Sequence, residues 1–161
     1  MPRPAELEFV ERFGRMFEEV GGSRTSGRIV GWLLLCDPPE QSQPELVAAL
    51  AVSKASISTE LRALAARGLV ERTTRPGDRR SYYRIQDDAW SQLIERRTRM
   101  IREFRQAASD GLKLLGRAAA RRRARLELLA RVYGHMERAL LAALAEIKSD
   151  VAEFDRGRGS R

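Results

Sequence analysis

Arg75, Arg79 and Arg80 crowd one short stretch of the chain, together with Pro76, Gly77 and Asp78. Guanidinium groups this close repel one another, so a loop that carries several calls for an anionic partner. A duplex phosphate backbone or a narrow minor groove is such a partner. Asp78 is expected to pair with one arginine and fix the loop while another projects outward. A second set lies upstream: Ser53, Lys54, Ala55, Ser56, Ser58, Thr59 and Arg62. Small and hydroxyl-bearing side chains let a helix sit deep in the major groove, and Arg62 can bind guanine bidentately or clamp a phosphate. Ser53 and Lys54, near the positive end of a helix dipole, suit phosphates. Taken singly, each set also reads as a solvated helix face or a solvated charged hairpin.

The elements that must carry these residues are legible in order. Ser42 and Glu45 stand at capping-box spacing with Pro44 in the first turn, which predicts a short helix over 43–50. Ala51-Val52-Ser53 turns into a second helix over 54–67, with Ser53 as its N-cap and Gly68 as its C-terminal stop. Ile57, Leu61 and Leu64 recur at i, i+4 and i+7 and face inward. Strand-like runs over 69–73 and 81–85 flank the Pro76-Gly77 turn. Helix, tight turn, helix and basic hairpin is the order of a winged helix-turn-helix, here spanning residues 25–87. Its apolar spine is a helix over 25–36, stopped by Asp37-Pro38-Pro39.

The run Gly68-Leu69-Val70-Glu71-Arg72 followed by Asp78-Arg79-Arg80 resembles the MarR family of bacterial transcription regulators. That resemblance implies that Asp78 structures the wing and that Arg80 is its minor-groove arginine. It also implies relief of binding by a small molecule or an oxidant. Where the family usually continues with an LT-x-x-G step, this chain has Ile85-Gln86-Asp87-Asp88-Ala89-Trp90. That departure and the long C-terminal helices bring the resemblance nearer the GbsR-like branch.

The flanks read as assembly elements. Residues 5–20 place Leu7, Val10, Phe13, Phe17 and Val20 on one helical stripe, so 1–24 is expected to join the helical arm. A long helix from 88, with Trp90, Leu93, Ile94, Ile101 and Phe104 on its inner side, is expected to break or bend around Ser109 to Gly116. A last helix over 118–154 repeats Leu129, Val132, Met136, Leu140, Ala143, Ile147 and Phe154 at near-heptad spacing. The head is too small to cover both stripes, so a homodimer through 88–116 and 118–154, with 5–20, is expected; a helical hairpin on a monomer is the alternative. Residues 155–161 read as a disordered basic tail.

Composition points the same way. Over 161 residues the net charge is +8, carried mostly by arginine, which favours polyanionic partners. No apolar run reaches membrane-spanning length and the N-terminus is not signal-like, so the reading is cytoplasmic. A lone cysteine and a lone histidine make neither an internal disulfide nor a metal site, and no cofactor is expected. Cys36 reads as a buried thiol in preference to a redox sensor, and Trp32 and Trp90 as core in preference to an effector pocket. Enzyme motifs are absent: no phosphate-cradling glycine loop, HExxH or nucleophile elbow. The reading is therefore a mainly α, homodimeric repressor of double-stranded DNA with an inverted-repeat site. A winged-helix protein-interaction module and a nonspecific architectural DNA-binding protein are its alternatives.

Overall fold

The computed structural model describes residues 2–116 and 120–158. It opens on two helices, α1 (Pro4–Glu19) and α2 (Arg24–Leu35). Local chemistry starts both. The Glu6 carboxylate accepts from the Arg3 N–H at 2.7 Å, and Ser23 Oγ accepts from the Ser26 N–H at 3.3 Å. The helices cross closely because glycines occupy the crossing. A Cβ on Gly27 would lie 2.5 Å from the Phe13 carbonyl oxygen, and one on Gly31 would lie 2.9 Å from Phe13 Cβ. Val10 is fully buried against the same core as Ile29 and Val30. The stretch 1–24, expected to join the helical arm, thus packs into the first compact unit, which extends to Ala89. Leu7 and Met16 remain exposed on α1, as does Val20 at its C-cap.

A short strand β1 (Gln41–Ser42) leads into α3 (Gln43–Leu50), then α4 (Lys54–Ala66) and the hairpin β2 (Val70–Thr74) and β3 (Ser81–Ile85). The strands form one antiparallel sheet in the order β1-β3-β2. Thr74 faces Ser81 across the hairpin and Ser42 faces Tyr82 across β1. Glu45 accepts from both the N–H and the hydroxyl of Ser42, at 2.6 and 2.7 Å, so the expected capping box starts α3. Ala51, with φ +51°, makes the sharp exit from α3 in the left-handed region. Leu46, Leu50, Ile57, Leu61, Leu64 and Val70 close over Ile29 and Val30 as the core.

The second unit consists of α5 (Ala89–Leu115), from Trp90 onward, and α6 (Ala120–Arg158). The break expected around Ser109 to Gly116 falls at the far end of that stretch: α5 is helical through Gly111 and ends at Leu115. Leu126 explains the glycine, because its Cδ1 lies 2.9 Å from where a Gly111 Cβ would stand. The turn falls at Gly116, with φ +55°. Glu137, 8% exposed, binds Arg102 at 2.8 Å and Arg105 at 2.7 Å, and Phe104 stacks on Tyr133 at 5.0 Å. Trp90, Leu93 and Phe104 are exposed, although the sequence placed them inward, and so are Leu128, Val132 and Met136. Helix α6 continues to Arg158, so 155–158 are helical where a disordered tail was expected. Arg117 and residues 159–161 lie outside the described residues.

Candidate nucleic-acid interface

Helix α4 is held from three sides before it presents anything. On its inner face Ile57, Leu61 and Leu64 are buried. From α2, Ser26 Oγ donates to Glu60 at 2.7 Å, and from α3, Gln43 Nε2 donates to the Lys54 carbonyl at 3.0 Å. Arg28 steadies the turn between α3 and α4 by donating to the Leu50 carbonyl at 2.7 Å while pairing with Glu11 at 2.7 Å. The ends are capped as expected. Ser53 Oγ accepts from the Ser56 N–H at 3.2 Å, and at the other end Leu69 N–H reaches the Leu64 carbonyl at 3.0 Å with Gly68 at φ +61°.

What α4 leaves outward is the sequence-derived set. Ser53, Lys54, Ala55, Ser56, Thr59 and Arg62 are exposed, and Ser58 is half-buried. Arg62 lies back along its own helix, 3.4 Å from the Ser58 carbonyl and 3.5 Å from Thr59 Oγ1. Those are long contacts that a better acceptor displaces. The face is free of acid and small in profile, as a helix entering a groove requires.

The wing is more organised than its sequence implied. Asp78 accepts from the Arg80 N–H at 2.8 Å, from the Arg80 guanidinium at 2.8 Å and from the Tyr82 hydroxyl at 2.7 Å. The Arg80 guanidinium and backbone, with Tyr82, hold the Asp78 carboxyl far below the usual carboxylate range. Arg75 pairs with Glu40 at 2.6 Å and lies over the Tyr82 ring at 4.0 Å, with Arg80 at 5.4 Å from the same ring. Arg72 Nε donates to Ser81 Oγ at 2.7 Å. Arg79 is exposed and has neither an ion pair nor a side-chain hydrogen bond among the described residues. Asp78 therefore holds Arg80, and Arg79 is the arginine that projects.

Sequence reasoning missed Ser26, Glu60, Gln43, Glu40 and Tyr82. Glu60 carried one signal, as the sole acid of α4. Glu40 carried none, because the arginine it binds lies 35 residues away.

Among the described residues, no group of three or more His, Cys, Asp or Glu could hold a metal ion. No described helix is long and apolar enough to cross a membrane. Cys36 is buried, and burial pushes its thiol up to about 11. His135 sits 2.9 Å from the Arg138 guanidinium. In the basic run at the start of α6, Arg123 caps the end of α5 through the Leu112 and Gly116 carbonyls, at 3.3 and 2.5 Å, while Arg121, Arg122 and Arg125 are exposed.

The chain is similar to known proteins. Residues 23–81 match the MarR family, and residues 88–149 match the family described as MmpR5-like MarR family transcriptional regulators. The HTH-type transcriptional regulator MmpR5 of Mycobacterium tuberculosis is 39% identical over 152 residues, which cover 94% of this chain and 92% of that protein. A solved structure described as a transcriptional regulator is also 39% identical. It has a TM-score of 0.74 and covers 91% of this chain and 99% of its own.

Proposed function

The chain belongs to the MarR family of DNA-binding transcriptional regulators, and we propose that it works as a homodimeric repressor that reads an inverted repeat. The observation that carries this reading is the acid-free outer face of α4, capped at both ends and held on the same unit as a basic wing. In this reading Ser53, Lys54, Ala55, Ser56, Ser58, Thr59 and Arg62 face the major groove. Arg79 and Arg80 serve the adjacent backbone or minor groove, Asp78 sets the wing, and Arg75 is the wing cation that Glu40 holds. The apolar side chains left open on α5 and α6, and on α1, support pairing with a second copy of the chain.

Within the family, the long C-terminal helices that resembled a GbsR-like branch fall in the stretch that matches MmpR5-like regulators, so they are read with that group. Repression is favoured over activation because the chain has no evident activation surface. An effector can relieve binding only by favouring one spacing of the two heads over another.

Selection of bound duplexes from a random pool, at near-physiological salt, tests the reading. Enrichment of an inverted repeat with half-sites about 10 base pairs apart, centre to centre, is the expected result. Uniform, salt-sensitive retention of all duplexes would instead assign the charge to backbone binding alone.

A further inference from the structure

Glu40 belongs neither to the reading helix nor to the hairpin, yet it governs a wing arginine. It precedes β1, and its carboxylate reaches β2, accepting from Thr73 Oγ1 at 2.9 Å and from Arg75 Nε at 2.7 Å. Arg75 Nη2 lies 2.6 Å from the same oxygen that Nε contacts. On its other side the guanidinium stacks on Tyr82 at 4.0 Å. An isolated surface ion pair is weak. Here two N–H groups on one carboxylate oxygen and an aromatic face hold the same planar group in one orientation. A phosphate oxygen would have to compete with Glu40 for those N–H groups.

The geometry points to Glu40 as a specificity-determining residue that withholds Arg75 from the DNA backbone and leaves Arg79 as the wing's freely extended cation. The inference rests on the DNA-binding reading above. Its logic is that phosphate contacts add affinity for every sequence alike, whereas discrimination is a ratio of specific to nonspecific binding. An acid that occupies a wing arginine lowers the nonspecific term. On the operator, base contacts fix the register, so a freed Arg75 gains less there than on a duplex along which the protein can shift.

The test is titration of the full-length protein on an operator recovered by selection and on a scrambled duplex of equal length, across salt. Glu40→Ala and Glu40→Gln are expected to bind the scrambled duplex more tightly. The log–log salt slope should steepen by about 0.9, an additional loss of about 3.5-fold between 50 and 200 mM salt. The operator-to-scrambled ratio should fall, because the gain is larger on the scrambled duplex. The gain should vanish when Glu40→Ala is made in an Arg75→Ala background, because only Arg75 transmits it. Glu40→Gln retains an acceptor for Thr73, and its thermal melt verifies the fold.

Unchanged binding in the Glu40 variants would overturn the inference. So would weaker binding to both duplexes, or a gain that persists without Arg75 and so reflects only the lost repulsion of Glu40 itself. Wild-type protein that binds neither duplex would overturn the DNA-binding reading instead, a result distinct from wild type that binds and variants that do not differ.

Discussion

At the scale of single residues, Arg62 is placed to act on a partner without holding the fold. Its contacts to Ser58 and Thr59 are long, and no acid pairs with it among the described residues. Arg62→Ala is therefore expected to weaken operator binding by about 1–3 kcal/mol while the melting temperature stays put, as titration and a thermal melt will read. Asp78 behaves differently, because it organises Arg80 and Tyr82 at once. Folding lowers its pKa, so its contribution is fully present above the ordinary value of about 3.9 and is lost only as pH falls through the depressed folded value. The wing should thus hold operator affinity constant from neutral pH down to about 5. Asp78→Asn, which removes the charge at every pH, should lower affinity across that range, and titrations at both ends check it. Cys36, with its thiol at about 11, is ionised to only about one part in a thousand near pH 8. Iodoacetamide should label native protein far more slowly than unfolded protein, and peroxide should leave operator affinity unchanged. Rapid labelling, or peroxide-sensitive binding, would reinstate an oxidant as the effector.

At the scale of elements, what the sequence revealed was local and what it concealed was distant. The Ser42–Glu45 box, the Ser53 cap, the Gly68 stop and the inward period of Ile57, Leu61 and Leu64 all act within a turn or two, so their spacing alone betrays them. Ser26 with Glu60, and Glu40 with Arg75, join residues 34 and 35 apart and leave no periodic trace. Glycine misled for the same reason. Gly111 looked like a helix breaker because glycine costs about 1 kcal/mol inside a helix. That cost is offset where Leu126 packs against the missing side chain, a contact fixed by tertiary structure. Gly27 and Gly31 make the matching case in the head, where α1 and α2 approach too closely for a Cβ. Gly27→Ala would set a methyl 2.5 Å from the Phe13 carbonyl oxygen and 2.8 Å from Gly14 Cα, both backbone atoms that cannot turn aside. The helices must move apart, and the expected loss is about 1–3 kcal/mol, read as a lower urea midpoint.

At the scale of the whole molecule, the apolar surface supports assembly with a second copy. Tyr133, Gly134 and Glu137 of α6 are half-buried or buried; Tyr133 stacks on Phe104 and Glu137 binds Arg102 and Arg105 of α5. The near-heptad residues Val132 and Met136 lie beside them and stay open, 44% and 42% exposed, with Leu128 at 56%. A stripe of large apolar side chains left to water is costly, and a twofold partner that offers the same stripe covers both copies at once. The expected mass in solution is therefore twice 18.2 kDa. Val132→Glu with Met136→Glu should return it to a single chain, because a carboxylate in a self-complementary seam meets its own copy. The head keeps its own core around Ile29 and Leu61, so the variant should still bind a half-site duplex. Its affinity for the full inverted repeat should fall by about 100-fold or more, since the second head no longer binds at high effective concentration. Light scattering and titration on the two duplexes separate the terms. A wild-type monomer that reads the full site as tightly as expected of a dimer would remove the second copy from the mechanism and leave the open stripe to another partner.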